Sequence, residues 1–347
     1  MTKPKIVFLY SEIAGYFLAC VAALSKHADV LVVRWEINKE APFQFTIPNG
    51  VEVVVKSDFS FEELTQKVHN FKPNTVVCSG WMDKDYLKIV KSFKKRVPTV
   101  LTLDNHWTGD IKQKIASALS PFLFKNKFTH AWVPGNPQKL FAQKLGFKNN
   151  VLTGFYCADT NLYDSFYQQQ NNAFKKQFLY VGRYVKHKGI FEMWQAFIEL
   201  QNESPNDWEM LCIGTGDEWD NRLKHDKIKH IGFVQPADMK PYLTEKSVYI
   251  LPSKFEPWGV TVQEFAVTSC PLILSQKVGA HEQFLKNKQN GFLLNEVTVD
   301  TLKNAMKQIM NQSNVELMKM SNLSHELGMA YQPKMWANTI LSLVKNG

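Results

Sequence analysis

The chain of 347 residues is short of several things at once, and each shortage removes a class of function. Its five cysteines, Cys20, Cys78, Cys157, Cys212 and Cys270, are scattered without a C-x-x-C pair, and most lie inside apolar runs. Buried free thiols of a reducing compartment are expected, not a disulfide framework or a structural zinc. Long hydrophobic runs are missing as well. Ile6 to Tyr10 is brief and soon interrupted by Glu12, while Ile13 to Leu24 is too short to span a bilayer, so neither a secretory leader nor a membrane anchor is expected. Arginine is scarce: of 41 cationic residues only Arg34, Arg96, Arg183 and Arg222 are arginines. Readers of nucleic-acid sequence lean on bidentate arginine contacts, so none is expected here. No repeat of 20–50 residues is visible, and the sole low-complexity tract is Gln168 to Asn172. A metal site also lacks a good candidate, because Asp83-Lys-Asp85 stands in a basic region and reads as a helix start.

What is present describes a globular protein, with 45% apolar and 21% charged residues. The length exceeds what one core usually serves, so two domains of ~170 residues are expected. The net charge of +9 is lopsided. Residues 1–155 carry 21 Lys+Arg against 12 Asp+Glu, and residues 156–347 carry 20 of each.

Short apolar strands alternate with helical patterns from Lys5 onward: strands near Val30, Val51, Thr75, Thr99, Ala131 and Val151, helices at Phe61 to Phe71 and Pro137 to Leu145. Such alternation predicts a parallel α/β sheet covered on both faces. The polar stretch Tyr167 to Ala173 is the best candidate linker, and from Gln177 the alternation restarts, with helices at Gly189 to Leu200 and Ala237 to Leu243. The expected division is 1–165, a linker at 166–176, a second domain at 177–330, and a C-terminal helix at 331–347 that crosses back to the first.

Three stretches carry chemistry. VGRYVKHKG (181–189) follows a strand and precedes a helix. Gly182 lets the backbone turn closely, so that Arg183 and Lys188 can converge on one anion near the helix N-terminus. Lys186 and His187 are expected to be exposed bystanders. The second stretch, PSKFEPWGVTVQE, places Glu256 just before a helix with Pro257 at its start and Glu264 about two turns in, on roughly the same face. It lies between the apolar runs Ser247 to Pro252 and Pro271 to Leu274, as the carboxyl-end crevice of an open parallel sheet does. In the third, Thr102 to Trp107 ends a strand and opens a helix, with Asp104 or Asn105 as a possible N-cap.

PS-x-x-EP-W-G-x-x-x-x-E, followed by PLIL and VGA-x-E-x(8)-G, resembles the donor-binding signature of retaining GT-B glycosyltransferases of family 4, including their E-x7-E motif. With less density the resemblance runs from about residue 5 to 345. It implies two Rossmann-like domains facing across a cleft. It also implies transfer of a sugar from a nucleotide-diphosphate donor, such as a UDP- or GDP-sugar, to a hydroxyl acceptor, with retention and without a metal. Arg183 and Lys188 occupy the positions of the family's pyrophosphate clamp. Glu256 would contact the transferred sugar and Glu264 the ribose hydroxyls, a vicinal diol suiting two carboxylate oxygens. Gly182, Gly214 of the G-T-G turn, the base-reading loop with Phe233 and Val234, and Pro257, Trp258, Gly259 and Val260 would complete the donor site. Gly15 would lie near the donor phosphates, a plain turn glycine being the alternative. His106 would be the first domain's catalytic histidine, a structural histidine being the alternative. Ala280 replaces a glycine the family often has, which puts that backbone contact with the ligand in question. Family habit and the basic first half point to a glycan or glycolipid acceptor in bacterial surface polysaccharide or glycolipid synthesis, and the missing leader and span to a cytoplasmic protein. A sugar-nucleotide 2-epimerase and a non-catalytic nucleotide-sugar binder remain as alternatives.

Residues 111–128, IKQKIASALSPFLFKNKF, mix four lysines with an apolar stripe. One reading is a core-facing helix with solvated lysines, the more ordinary arrangement. The other is a weak peripheral contact with an anionic membrane at its inner face, worth ~4 kcal/mol or about a thousandfold at ~1 kcal/mol per lysine.

Overall fold

Runs such as Ile6 to Leu9 and Val30 to Val33 are apolar on both sides of the pleat, so both faces of their sheet need cover, and parallel sheets have it. In the computed structural model, which describes residues 3–36, 44, 46–171 and 173–345, the chain forms two units, each built on such a sheet. The first comprises Met1–Asp159 with Gln332–Gly347, the second Thr160–Tyr331.

Seven strands among the described residues make the first sheet: β1 (Lys5–Leu9), β2 (Asp29–Arg34), β3 (Val51–Val55), β4 (Thr75–Ser79), β5 (Thr99–Thr102), β6 (His130–Trp132) and β7 (Val151–Leu152). Their order is β3-β2-β1-β4-β5-β6-β7, every neighbouring pair parallel. Between them run α1 (Gly15–Ser25), α2 (Phe61–Phe71), α3 (Lys84–Phe93), α4 (Ile111–Leu123) and α5 (Asn136–Lys144). Asp83 does start a helix: its carboxylate caps the amides of Asp85 and Tyr86 at 3.0 Å and pairs with Lys56 at 2.8 Å.

The second unit opens with α6 (Thr160–Tyr167) and carries six strands: β8 (Phe174–Val181), β9 (Glu209–Ile213), β10 (Ile228–Ile231), β11 (Lys246–Leu251), β12 (Leu272–Ser275) and β13 (Gly291–Leu294). The order β10-β9-β8-β11-β12-β13 is again parallel throughout. Its later helices are α7 (Ile190–Glu203), α8 (Val260–Val267), α9 (His281–Phe284), α10 (Val299–Met310) and α11 (Asn314–Met329). The polar segment 166–176 lies within this unit, tied to it where the Asn171 amide donates to Thr244 O at 2.9 Å; Asn172 falls outside the described residues. The expected helix at Ala237 to Leu243 is instead two 3-10 turns, Pro236–Asp238 and Lys240–Tyr242. Pro241 has no amide to donate and its ring blocks a continuous α-helix there.

The C-terminal helix α12 (Pro333–Lys345) belongs to the first unit. Trp336, buried to 1% exposure, is its anchor: it packs on Phe8, Phe17 and Trp132 and donates its indole N–H to Phe155 O at 2.7 Å. All five cysteines are buried and unbridged. No helix of the described residues is long and apolar enough to cross a membrane.

Candidate functional site

The site rises from the carboxyl ends of β8, β9 and β11, where three loops lie against one another. The loop after β8 runs from Gly182 through the 3-10 turn Lys186–Lys188 to Gly189, which caps α7 at φ 69°. A Cβ at Gly189 would stand 2.2 Å from Pro252 O, so only glycine lets this loop close onto the loop after β11. Gly214, at φ 140°, is the matching point on the loop after β9: its missing Cβ would stand 2.0 Å from Gly182 O. Backbone bonds from Gly182 N to Ile213 O at 3.1 Å and from Tyr184 N to Thr215 O at 2.9 Å complete that contact. Gly214 N in turn donates to the carbonyls of Ile231 and Gly232, which fixes the segment leading to the half-buried Phe233 and Val234.

These closures bring two of the expected residues together. The Lys188 ammonium is paired with the Glu256 carboxylate, the two side chains being only 14% and 15% exposed. Glu256 is held by its own backbone as well, its N–H donating to Lys277 O and its C=O accepting from Gly279 N, both at 3.1 Å. Ala280 N donates to Trp258 O at 2.9 Å. The amides at 279 and 280 therefore serve the loop itself, and Ala280, in ordinary αR conformation at φ −69°, accommodates its methyl without strain. Arg183 is exposed on the same loop, its carbonyl accepting from the Tyr180 hydroxyl at 2.8 Å. Burial, with the positive charges of Lys188 and Arg183, pushes the His187 imidazole below its usual value against the opposing pull of Glu256. Both His187 and Lys186 are exposed, as expected, but His187 feels the charges of the cluster.

Gly259 starts α8 without a side-chain cap, and the helix buries Val262, Phe265, Ala266 and Val267. Its Gln263 donates to Gly328 O and Tyr331 O, pinning it to the end of α11. Glu264 is half-buried on α8 and Val260 half-buried as its first residue; Pro257, expected at the helix start, lies three residues before it, because the αL backbone of Gly259 at φ 90° delays the helix, and Trp258 turns into the core at 3% exposure. The charges of both acids act on one group that the sequence reading did not single out, the Tyr249 hydroxyl. It bonds Thr261 Oγ1 at 2.8 Å, and its ring stacks on Phe265 at 4.4 Å. Burial drives the Tyr249 hydroxyl well above its ordinary value; the bond with Thr261 opposes this, and the charges of Glu264 and Glu256 add to it. A tyrosine inside the apolar run 248–251 was the available signal.

Gly15 and His106 stand in the first unit. Gly15 is the first residue of α1, and a Cβ there would meet nothing within 4 Å, so packing does not demand the glycine. His106 is half-buried in the loop between β5 and α4, its carbonyl accepting from Gln113 Nε2 at 2.7 Å. The helix after that loop begins later than expected. Its N-cap is Asp110, whose carboxylate accepts from Gln113 N at 2.8 Å, and neither Asp104 nor Asn105 has that role. Asp104 instead accepts from the Tyr156 hydroxyl at 3.1 Å.

Residues 164–324 match the family model of glycosyl transferases group 1, somewhat under half of the chain. Spore coat protein SA of Bacillus subtilis is 30% identical over 136 residues, 35% of this chain and 36% of that protein. Alpha-monoglucosyldiacylglycerol synthase of Acholeplasma laidlawii is 27% identical over 123 residues, 33% of this chain and 30% of that protein. The chain thus spans about a third of the length of these curated relatives. The solved structure of Anabaena HepE in complex with UDP-glucose superposes with a TM-score of 0.72 at 18% identity, over 99% of this chain and 100% of that one. The match to the group 1 glycosyltransferase model thus lies in the second unit, and the two Rossmann-like units share their fold with solved GT-B glycosyltransferases.

Proposed function

We propose that this protein moves a sugar from a nucleotide-diphosphate donor to a hydroxyl of a glycan or glycolipid acceptor, with retention and without a metal. The observation that carries the reading is the Lys188–Glu256 pair, half-enclosed where the loops after β8 and β11 meet. The pair offers an ammonium for the diphosphate and a carboxylate for sugar hydroxyls. Arg183, on the same loop as Lys188, supplies a second cation. As the glycosidic bond breaks, negative charge grows on the departing β-phosphate, and positive groups already in place stabilise it in the transition state. Glu264 is suited to a vicinal diol of the ribose. The acceptor hydroxyl attacks from the face the leaving group vacates and passes its proton to the departing phosphate oxygen, which preserves the anomeric configuration. HepE, solved with UDP and with UDP-glucose, supports a nucleotide-sugar donor, and the diacylglycerol named in the Acholeplasma relative fits a lipid-borne acceptor.

A thermal-shift screen of nucleotide sugars, followed by transfer assays over an acceptor panel with NMR of the product, tests this. A donor present at a hundred times its Kd raises stability by about 2.7 kcal/mol, a shift of roughly 5–10 °C for a unit of this size. Transfer with an unchanged anomeric configuration is the expected result. An isomerised sugar formed from donor alone would make the protein an epimerase. Stabilisation without transfer or hydrolysis would make it a binder.

A further inference from the structure

We propose that α4 docks this protein on the surface of an anionic lipid bilayer. The helix is amphipathic in the wrong sense for a soluble core. Ile111, Ile115, Leu119 and Phe122 are 76%, 53%, 47% and 77% exposed. At 3.6 residues per turn they fall within an arc of about 80°, one continuous apolar stripe. The opposite side, which the helix turns toward the protein, holds the buried Ser120 and the half-buried Ala116 and Ser117. Of the twelve large apolar side chains exposed among the described residues, five lie on this one helix, Leu123 being the fifth.

Nothing about the helix depends on that stripe for support. Asp110 caps its start, while Phe124 and Phe128, 2% and 3% exposed, drive its end into the core, Phe124 packing on Trp81 at 5.1 Å. Burying the stripe in a bilayer interface would leave these anchors in place.

Charge selects the occupant. On the helical wheel Lys112 and Lys114 flank the stripe on its two sides, so their stems can lie along an apolar surface while the ammonium groups reach outward. Between residues 105 and 150 there are seven lysines and a single acid, Asp110, already engaged as a cap. The first unit carries 23 Lys+Arg against 13 Asp+Glu, the second 18 against 19. A second copy of the chain is a poor occupant, because this stretch offers only Asp110, already engaged, to meet the lysines of its partner. Anionic lipid supplies both the apolar layer and the opposite charge. The proposal stands independently of the sugar-transfer reading.

The test is flotation of the full chain with vesicles of equal parts phosphatidylglycerol and phosphatidylcholine, or phosphatidylcholine alone, at about 0.1 M salt. Binding to the anionic vesicles is expected, falling steeply with added salt. Replacing Lys112→Gln and Lys114→Gln together should weaken partitioning roughly 25-fold, from about fivefold per lysine. Ile115→Ser with Phe122→Ser should weaken it roughly 30-fold or more with the melting temperature unchanged, since both side chains are already in water. Val315→Ser, an equally exposed site on α11, should change nothing. The proposal is overturned if the chain does not float with anionic vesicles at micromolar concentration. Equal flotation by the Ile115/Phe122 variant, or a solution dimer that this variant dissolves without any flotation, overturns it too.

Discussion

Replacing Lys188 by methionine keeps most of the side-chain volume and removes only the charge, so it isolates what the ammonium does. Two consequences follow, and they are separable. In the free protein Glu256 would lose its cation at a position only 15% exposed. An unpartnered carboxylate so placed costs about 1–3 kcal/mol, and a unit of about 170 residues loses 2–4 °C per kcal/mol, giving a drop of roughly 2–12 °C. In the transition state the diphosphate would lose one preorganised donor, a loss of about 10²–10³ in kcat. Lys186→Met, two residues away, is the control: that lysine is 82% exposed and stands 3.7 Å from Glu218, so both quantities should stay close to those of the parent protein.

The assay is kcat from single-donor transfer kinetics together with calorimetric melting. The double variant Lys188→Met with Glu256→Gln separates the two effects. Removing both charges should restore part of the lost stability, with a coupling of about 0.5–3 kcal/mol, while leaving activity low. A kcat within threefold of the parent protein in Lys188→Met, alongside the fall in melting temperature, would refute the clamp and reduce the pair to a structural contact.

Three further outcomes are expected. Gly214→Ala should destabilise the second unit by about 2–3 kcal/mol, because its methyl lands 2.0 Å from a backbone oxygen, whereas Gly15→Ala should be neutral or slightly stabilising; melting curves of both variants decide this. Transfer activity should survive dialysis against excess EDTA, and loss of activity restored by a divalent cation would contradict the cationic-clamp reading. Burial raises the Asp83 pKa, but the bonds from Lys56, the Tyr86 amide and Trp35 outweigh it and hold the carboxyl below its ordinary value. A depressed carboxyl contributes stability that is present above its unfolded value near 4 and is lost as pH falls through the folded value. Asp83→Asn should therefore cost about 1–2 kcal/mol at pH 7 and progressively less below pH 4, measured by denaturant titration across pH.

The sheets were the most legible part of the sequence, and for a physical reason. A strand buried on both faces must be apolar at every position, and runs such as Val30 to Val33 cannot be much else. Caps and turns were less so. Asp104, Asn105 and Asp110 all have the short acceptor side chain an N-cap needs, and the loop's tertiary contacts chose Asp110 while giving Asp104 to Tyr156. In the second unit the motif spacing indicated which residues to watch but not what they touch. That Lys188 reaches Glu256 depends on Gly189 closing onto Pro252, a contact across 63 residues of chain with no local trace. The Tyr249 hydroxyl, which feels the charge of both acids, was hidden for the same reason, its position being set by strand order and not by anything adjacent in sequence.

The helix α4 shows a different kind of limit. Periodicity reveals that a helix has an apolar stripe, and it says nothing about the direction in which the stripe points. Direction is decided by competition for the core, and here the competition was won by residues just beyond the helix. Phe124 and Phe128 fill the space beneath it together with Phe141, which leaves Ala116 as the helix's modest contribution to that cluster. With the core closed by those aromatic rings, Ile111, Ile115, Leu119 and Phe122 have no interior left to enter, and the core-facing reading of this stretch fails on packing alone. An apolar row left in water is unfavourable for the isolated molecule, and its place between two lysines is the pattern of an interaction surface. The anionic bilayer meets both the stripe and the charge beside it.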